Sequence, residues 1–428
     1  MTHSLAHRII EDLYLRNRNF CSSDYDACLD YLSKIIPFTI HDYHPQDQFN
    51  GWVIPPKWDL IKAGIWKNGI PILAVENPLQ VIGLSQSFKG MLTLEELKSH
   101  LHFDRRDPDS IPYHFRQNYR PWDRDWGFCV TQKFYDSLAS GEYQVVIETK
   151  ESEGYLRVAE CTLKGSCPET FVFVAHLDHP GMANDDLAGV AVGVELFHQL
   201  SKIPRKFTYR LILVQEIIGS VFYLGKSPSH QKHVVESCFL EMLGSATPLA
   251  LQGSRKQTGM LEKVIDQALA EQKSAYRKGP FRSIICNDEI VWESYGIPMA
   301  SLSRFPYPEY HSEKDNPSII RAESLSESVD VLSVAVKKLD ASVLVRKKVQ
   351  GVLSLANPEY GLYVDPGQPA FESTAPEHVQ KLRLLMDILP MLPEIFFVEQ
   401  AAEEVQLPAE ETLAYLKLWE CRGLIDLF

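Results

Sequence analysis

The chain has 428 residues, 45% of them hydrophobic, and a formal net charge of −13. That length can bury at least one large core and divide into two or three domains, while the acidic balance argues against general affinity for nucleic acid or an anionic membrane, which both need clustered Lys and Arg. No apolar run approaches the roughly 18 residues of a membrane span, and the eight cysteines are scattered without a CxxC pair, so neither a disulfide framework nor a thiolate metal site is expected.

At the N-terminus, Leu5, Ile9, Ile10 and Leu13 recur at helical spacing among charges. There is no apolar signal-peptide core, so a cytoplasmic location is expected. From 49 to 120 short apolar pieces are punctuated by Pro and Gly, the texture of a small all-β domain. Strands are then predicted over 143–149, 155–163, 171–175 and 209–214, with helices over 190–200, 259–271 and 321–339. Alternation of this kind implies an α/β fold with a mixed sheet, its first two strands forming a hairpin because few residues separate them. The expected organisation is an α/β domain from 1–48 and 121–356 that carries 49–120 as an insertion.

Residues 171–189, FVFVAHLDHPGMANDDLAG, hold the densest chemistry. His176 stands where an apolar strand ends, the place where open α/β sheets gather ligands. Asp178, two residues on, faces the same way and can fix the tautomer of a metal-binding His176. Gly181 permits a turn that returns Asn184, Asp185 and Asp186 toward the same point. A polar loop capping the next helix would look alike, so further ligands are needed. Glu216 and Glu241 each follow a buried strand, and His311 lies in a fourth segment, Tyr310-His311-Ser-Glu-Lys-Asp315, after Gly296-Ile-Pro298. Arg304, Tyr310 and Arg255 are candidate substrate contacts.

Beyond a Pro- and Gly-containing linker over 357–376, helix, short helix, turn, helix and strand follow in the order of a winged helix-turn-helix over 371–428. From Phe371 onward there are four basic against eleven acidic side chains. Glu410, Glu411 and Glu420 on the would-be recognition helix repel phosphate, so a protein contact is expected in place of DNA. Trp419 and Phe428 would offer apolar contact surface, for a homo-oligomer or another protein.

Taken together, HxD, NDDxxG, a strand-end Glu followed by Gly-Ser, a strand acid followed by Met-x-Gly, and GIP followed by Tyr-His resemble the co-catalytic zinc aminopeptidases typified by bacterial leucyl aminopeptidases. Nearly the whole chain is similar to a bacterial group of aminopeptidase-like proteins of unassigned role. Ile111-Pro-Tyr113, Trp126-Gly-Phe-Cys129, His179-Pro180, Asn184-Asp185 and Glu309-Tyr-His311 carry that likeness. The resemblance implies a zinc-exopeptidase-like mixed-sheet core with an inserted β domain and a C-terminal winged helix. It further implies one or two zinc ions held by His176, Asp185 (bridging), Glu216, Glu241 and His311, with Asp178 orienting His176 and a cis Asp185–Asp186 peptide.

Two departures stand out. The family carries paired glutamates, one base and one ligand, where this chain has Gln215-Glu216, so Glu216 can fill only one of those jobs. The family's usual aspartate is replaced by Glu241, and His179 is an additional candidate ligand. The expected function is zinc-dependent hydrolysis of an amide in a small molecule or peptide, with Glu216 as base. The alternatives are a catalytically impaired binding protein that uses the winged helix for protein contacts, and a zinc N-deacylase acting on a modified sugar or amine.

Overall fold

The computed structural model describes residues 4–45, 47–272, 274–365 and 375–428. Parts of the predicted linker and the predicted start of the terminal domain, 366–374, lie outside them. The chain divides into two units, Met1–Ala335 and Val336–Phe428. Among the described residues no helix is long and apolar enough to cross a membrane.

The first unit is built on an eight-stranded sheet. Its strands are β1 (Thr39–Tyr43), β2 (Leu156–Leu163), β3 (Thr170–His176), β4 (Thr208–Val214), β5 (Val234–Glu241), β6 (Ala250–Gln252), β7 (Arg277–Gly279) and β8 (Met299–Ser303). They are ordered β1-β2-β4-β3-β5-β8-β6-β7. Strands β4, β3, β5 and β8 run parallel in the centre, flanked by antiparallel pairings to β2 and β6, with β1 antiparallel to β2 at one edge and β7 parallel to β6 at the other. The central strands are buried along most of their length because helices cover both faces, and Phe171 to Ala175 of β3 form a wholly buried apolar run. This is the mixed α/β sheet expected, with helices Gly189–Leu200, Met260–Gln272 and Ala322–Ala341 within two residues of the predicted bounds.

A second, four-stranded antiparallel sheet is ordered Ile70–Ala74, Lys57–Lys67, Glu142–Ser152, Phe88–Thr93. The strand Glu142–Ser152 thus pairs inside the small β body, and the expected hairpin with β2 does not form. Tyr143, Val145 and Ile147 alternate inward onto Ile65, Leu97, Trp126 and Phe128. That side-chain choice, which the short link to β2 concealed, extends the β body past Arg120.

In the second unit, Leu344–Lys347 is the middle strand between Ile395–Phe397 and Ile425–Leu427. Helices Glu377–Ile388, Val398–Val405 and Ala409–Cys421 complete it, with Gln406 left-handed at φ 56° between the last two. Trp419, expected on the surface, is 3% exposed and packs with Leu385, Ile388, Val405 and Leu416. Glu410, Glu411 and Glu420 are exposed as expected.

Candidate metal centre

Parallel register brings the candidate ligands to one level. Val174 pairs with Phe239, so two residues further along the same faces stand His176 and Glu241, and His176 itself pairs with Val214 beside Gln215 and Glu216. The loop after β3 then returns Asp185. Its path is set by Arg18, wholly buried, whose guanidinium donates to the carbonyls of Leu177, His179 and Met182 at 2.9, 2.7 and 2.7 Å. Asp315 closes the turn by accepting from the backbone N–H groups of Asn184 and Asp185 at 2.6 and 3.0 Å. The Asp185–Asp186 peptide is cis. Gly189 opens the next helix where a Cβ would collide with the Asp186 carboxylate and the Leu240 carbonyl.

The resulting contacts group around one buried carboxylate. Asp185 Oδ1 lies 3.4 Å from His176 Nε2, and Asp185 Oδ2 lies 3.1 Å from His311 Nε2. Glu241 Oε1 lies 3.4 Å from His176 Nε2, and Asp178 Oδ1 lies 3.4 Å from His176 Nδ1, on the far side of the ring. His179, left-handed at φ 72°, reaches within 4.0 Å of Asp185 and 3.7 Å of Glu216. His176, Asp178, His179, Asp185 and Glu241 are all at most 2% exposed.

Two observations fit this donor set to divalent metal. Among these buried atoms, Asp185 Oδ2, Glu241 Oε2 and His311 Nε2 make no hydrogen bond, although two of them are neighbours at 3.1 Å; buried polar atoms are rarely left so. Charge points the same way. Burial pushes the Glu241 carboxyl up to about 8 and that of Asp315 up to about 7, and it drives Asp186 well above the carboxylate range. Burial also opposes charge on His176, yet Asp186, Asp178 and Glu241 hold its pKa well above the ordinary histidine value. Too many carboxylates share too few cations here, and bound cations would take the place of those protons. Imidazole and carboxylate together suit zinc.

Glu216 is differently placed. Its backbone N–H donates to Asp178 Oδ1 at 2.9 Å, its carboxylate accepts from the Tyr119 hydroxyl, and its side chain is 18% exposed, within reach of solvent. Ile217, at φ 61°, an unusual angle for a β-branched residue, turns the chain off the strand end, and its N–H donates to Asp288 at 2.9 Å.

Gln215 turns the other way: wholly buried, its amide donates to the Phe20 and Arg157 carbonyls at 2.9 and 3.2 Å. Its side chain is a brace between strands. Gln215→Glu should therefore cost about 1–3 kcal/mol by facing a carboxylate with two carbonyl oxygens, and it should not raise turnover. Urea unfolding and a rate assay of the variant check both.

Of the expected substrate contacts, only Tyr310 is at the centre, stacked on His311 with ring centroids 3.8 Å apart. Arg304 stands elsewhere, 2% exposed, donating to the Leu243, Thr247 and Ser324 carbonyls and to Glu327. A buried guanidinium must satisfy its donors locally, which here makes it a loop brace. Arg255 is on the surface, with Glu293 4.0 Å away and 64% of its side chain exposed. Sequence reading passed over Arg18, Tyr119 and Asn287, whose amide donates to Glu241 Oε1 at 2.6 Å. All three reach the centre from segments with no strand-end signature, and only Tyr119 had a cue, the nearby Ile111-Pro-Tyr113 motif.

Comparisons with known proteins agree with this architecture. A crystal structure of a Clostridium acetobutylicum protein, provisionally described as a peptidase, superposes with a TM-score of 0.76 at 22% identity, covering 99% of this chain and 96% of that one. BSAP, a zinc aminopeptidase from Bacillus subtilis, superposes with a TM-score of 0.57 at 14% identity over 78% of this chain and 94% of that one. These likenesses establish a shared aminopeptidase-like fold. In sequence, a Clostridium acetobutylicum protein is 28% identical over 331 residues, 75% of this chain and 74% of its own. Its description provisionally assigns polysaccharide biosynthesis, with an aminopeptidase-like domain. Residues 7–342 match the family described as "Domain of unknown function (DUF4910)", and the chain belongs to that family.

Proposed function

We propose that this protein is a metal-dependent amide hydrolase acting on a small molecule or peptide. One observation carries the reading: the buried Asp185 carboxylate lies between His176 and His311, with unpaired atoms of Asp185, Glu241 and His311 alongside. His176, Asp185 and Glu241 would hold one zinc ion, and Asp185 and His311, joined by Glu216 or His179, a second. When bound, such ions lower the pKa of water from 15.7 to about 7 and polarise a carbonyl.

The chain's own residues supply the rest. Asp178 fixes the His176 ring by contact with Nδ1. Glu216, the acid with access to solvent, takes a proton from the attacking water and delivers it to the leaving amine. Tyr119 donates a hydrogen bond to that carboxylate and so holds it in place. Aromatic rings of Tyr113 and Phe115, 5.6 and 5.4 Å from the His311 ring, wall the approach.

Metal-loaded protein assayed on aminoacyl anilides tests the proposal, and Glu216→Gln separates the two roles of that residue. As base, its loss lowers turnover by about 10²–10⁴-fold with metal content unchanged; as ligand, its loss also removes an equivalent of metal. Protein with no zinc affinity would end the reading.

A second substrate class is favoured by the aromatic wall and by the relative described with polysaccharide biosynthesis: an N-acylated amino sugar, whose apolar face stacks on such rings. Parallel assays of N-acetylamino sugars and aminoacyl anilides decide between them. The inserted β body supplies Tyr119 and the aromatic wall, and the acidic terminal unit is a winged helix for protein contact in a cytoplasmic enzyme.

A further inference from the structure

We propose that His41, Glu160 and His230 form a second site for a zinc-class metal ion, away from the centre just described. The three come from different elements: the edge strand β1, the neighbouring β2, and the short turn after helix Ile218–Lys226. One ligand atom from each lies within 4.8 Å of the others. All three are half-buried, which leaves open coordination positions for water.

The geometry favours a metal because the free lone pairs are already chosen. His230 Nδ1 stands 2.8 Å from the Tyr223 carbonyl. A carbonyl can only accept, so Nδ1 carries the proton and Nε2 keeps its lone pair for a ligand bond. His41 Nε2 lies 3.1 Å from Glu160 Oε2, near the roughly 3.3 Å between ligand atoms implied by tetrahedral zinc with bonds of about 2.0 Å. The His41 and His230 rings are 4.5 Å apart.

Partners outside the trio hold Glu160. Thr162 and Arg210 engage Oε1 at 2.7 and 3.4 Å, and the Tyr223 hydroxyl donates to Oε2 at 2.7 Å. Carboxylates that ligate metals are oriented by such neighbours. Two imidazoles exclude calcium and magnesium, which take oxygen ligands, and suit zinc. Arg210 lowers the net charge available to a cation, so the site is expected to be weaker than the centre around Asp185. Bound metal would tie the edge strand β1 to β2 and to the turn carrying His230.

Equilibrium dialysis of the full chain against Zn²⁺, followed by elemental analysis, tests this. His41→Gln and His230→Ala should each bind one equivalent fewer than the wild type, and each should lose part of the zinc-induced rise in Tm. Asp185→Ala should retain this equivalent, which separates the site from the centre at His176 and leaves the test independent of any hydrolytic activity. Circular dichroism confirms folding; if His230→Ala fails that check, His41→Gln, on an edge strand, carries the test. Equal zinc in wild type and folded variants would overturn the proposal and leave the trio a hydrogen-bonded network, as would an equivalent lost only in Asp185→Ala.

Discussion

Asp185→Ala should empty the centre of metal and abolish hydrolysis. Its carboxylate stands between histidines from two distant segments: Oδ1 faces His176 at 3.4 Å and Oδ2 faces His311 at 3.1 Å. If one carboxylate is shared by two ions, deleting it removes a ligand from both. Removing a residue that merely orients a ligand already weakens metal binding by about 10–100-fold, so loss of the shared ligand should exceed about 100-fold. Zinc titration and turnover on the substrate class identified above are the measurements. A variant that binds zinc as the wild type does and turns over normally would show that the cluster is not the catalytic centre. Because Asp185 is also the foremost charge holding the His179 pKa up to about 9 against burial, that imidazole should titrate lower in the metal-free variant.

Arg18→Met should destabilise the first unit by about 3–5 kcal/mol, the range for removing one partner from a buried charged network. The Arg18 guanidinium donates to five carbonyls: Leu13 and Tyr14 at the end of helix Leu5–Leu13, and Leu177, His179 and Met182 in the loop that carries the ligands. Methionine fills much of the space but leaves those acceptors buried without donors. It also removes a cation that is electrostatically favoured by Asp178, Asp315 and Asp185, so the acidic centre becomes harder to hold together without metal. Excess zinc should accordingly recover part of the loss. Arg18→Lys should not restore wild-type stability, because an ammonium has three donors and lacks the planar fork that spans both segments. Urea unfolding with and without zinc measures both; a loss under about 1 kcal/mol would mean that water replaces the guanidinium.

The legible and illegible residues divide along a physical line. His176, Asp185, Glu216, Glu241 and His311 could be picked out because each follows an apolar strand or sits in a motif after one, and a parallel sheet delivers strand ends to a common edge whatever the loops do. The spacing of Asp178 from His176 carried the same information, since alternate residues of an extended segment share a face. Arg304 and Arg255 were misread because a lone arginine in a sequence says nothing about whether its donors are consumed by nearby carbonyls or left for a ligand. Trp419 was misread for a related reason: its helix has apolar residues on more than one side, and packing chose which of them to bury.

Gln215 shows the limit most clearly. As a letter beside Glu216 it reads as a catalytic acid gone missing; in the fold its side chain points to Phe20 and Arg157, opposite to Glu216. Successive residues leave a strand on opposite faces, and which face meets the centre is settled by the turn at Ile217.

By itself, then, the sequence determined the α/β class, the order of the central elements and the residue types gathered at one edge, because hydrophobic period and strand ends are local properties. Only the tertiary structure decided that Glu142–Ser152 belongs to the β body, that Arg18 and Tyr119 reach the centre, and that Gln215 does not. Those outcomes depend on contacts between segments distant along the chain, where geometry, burial and competing hydrogen-bond partners select among arrangements that local pattern leaves equal.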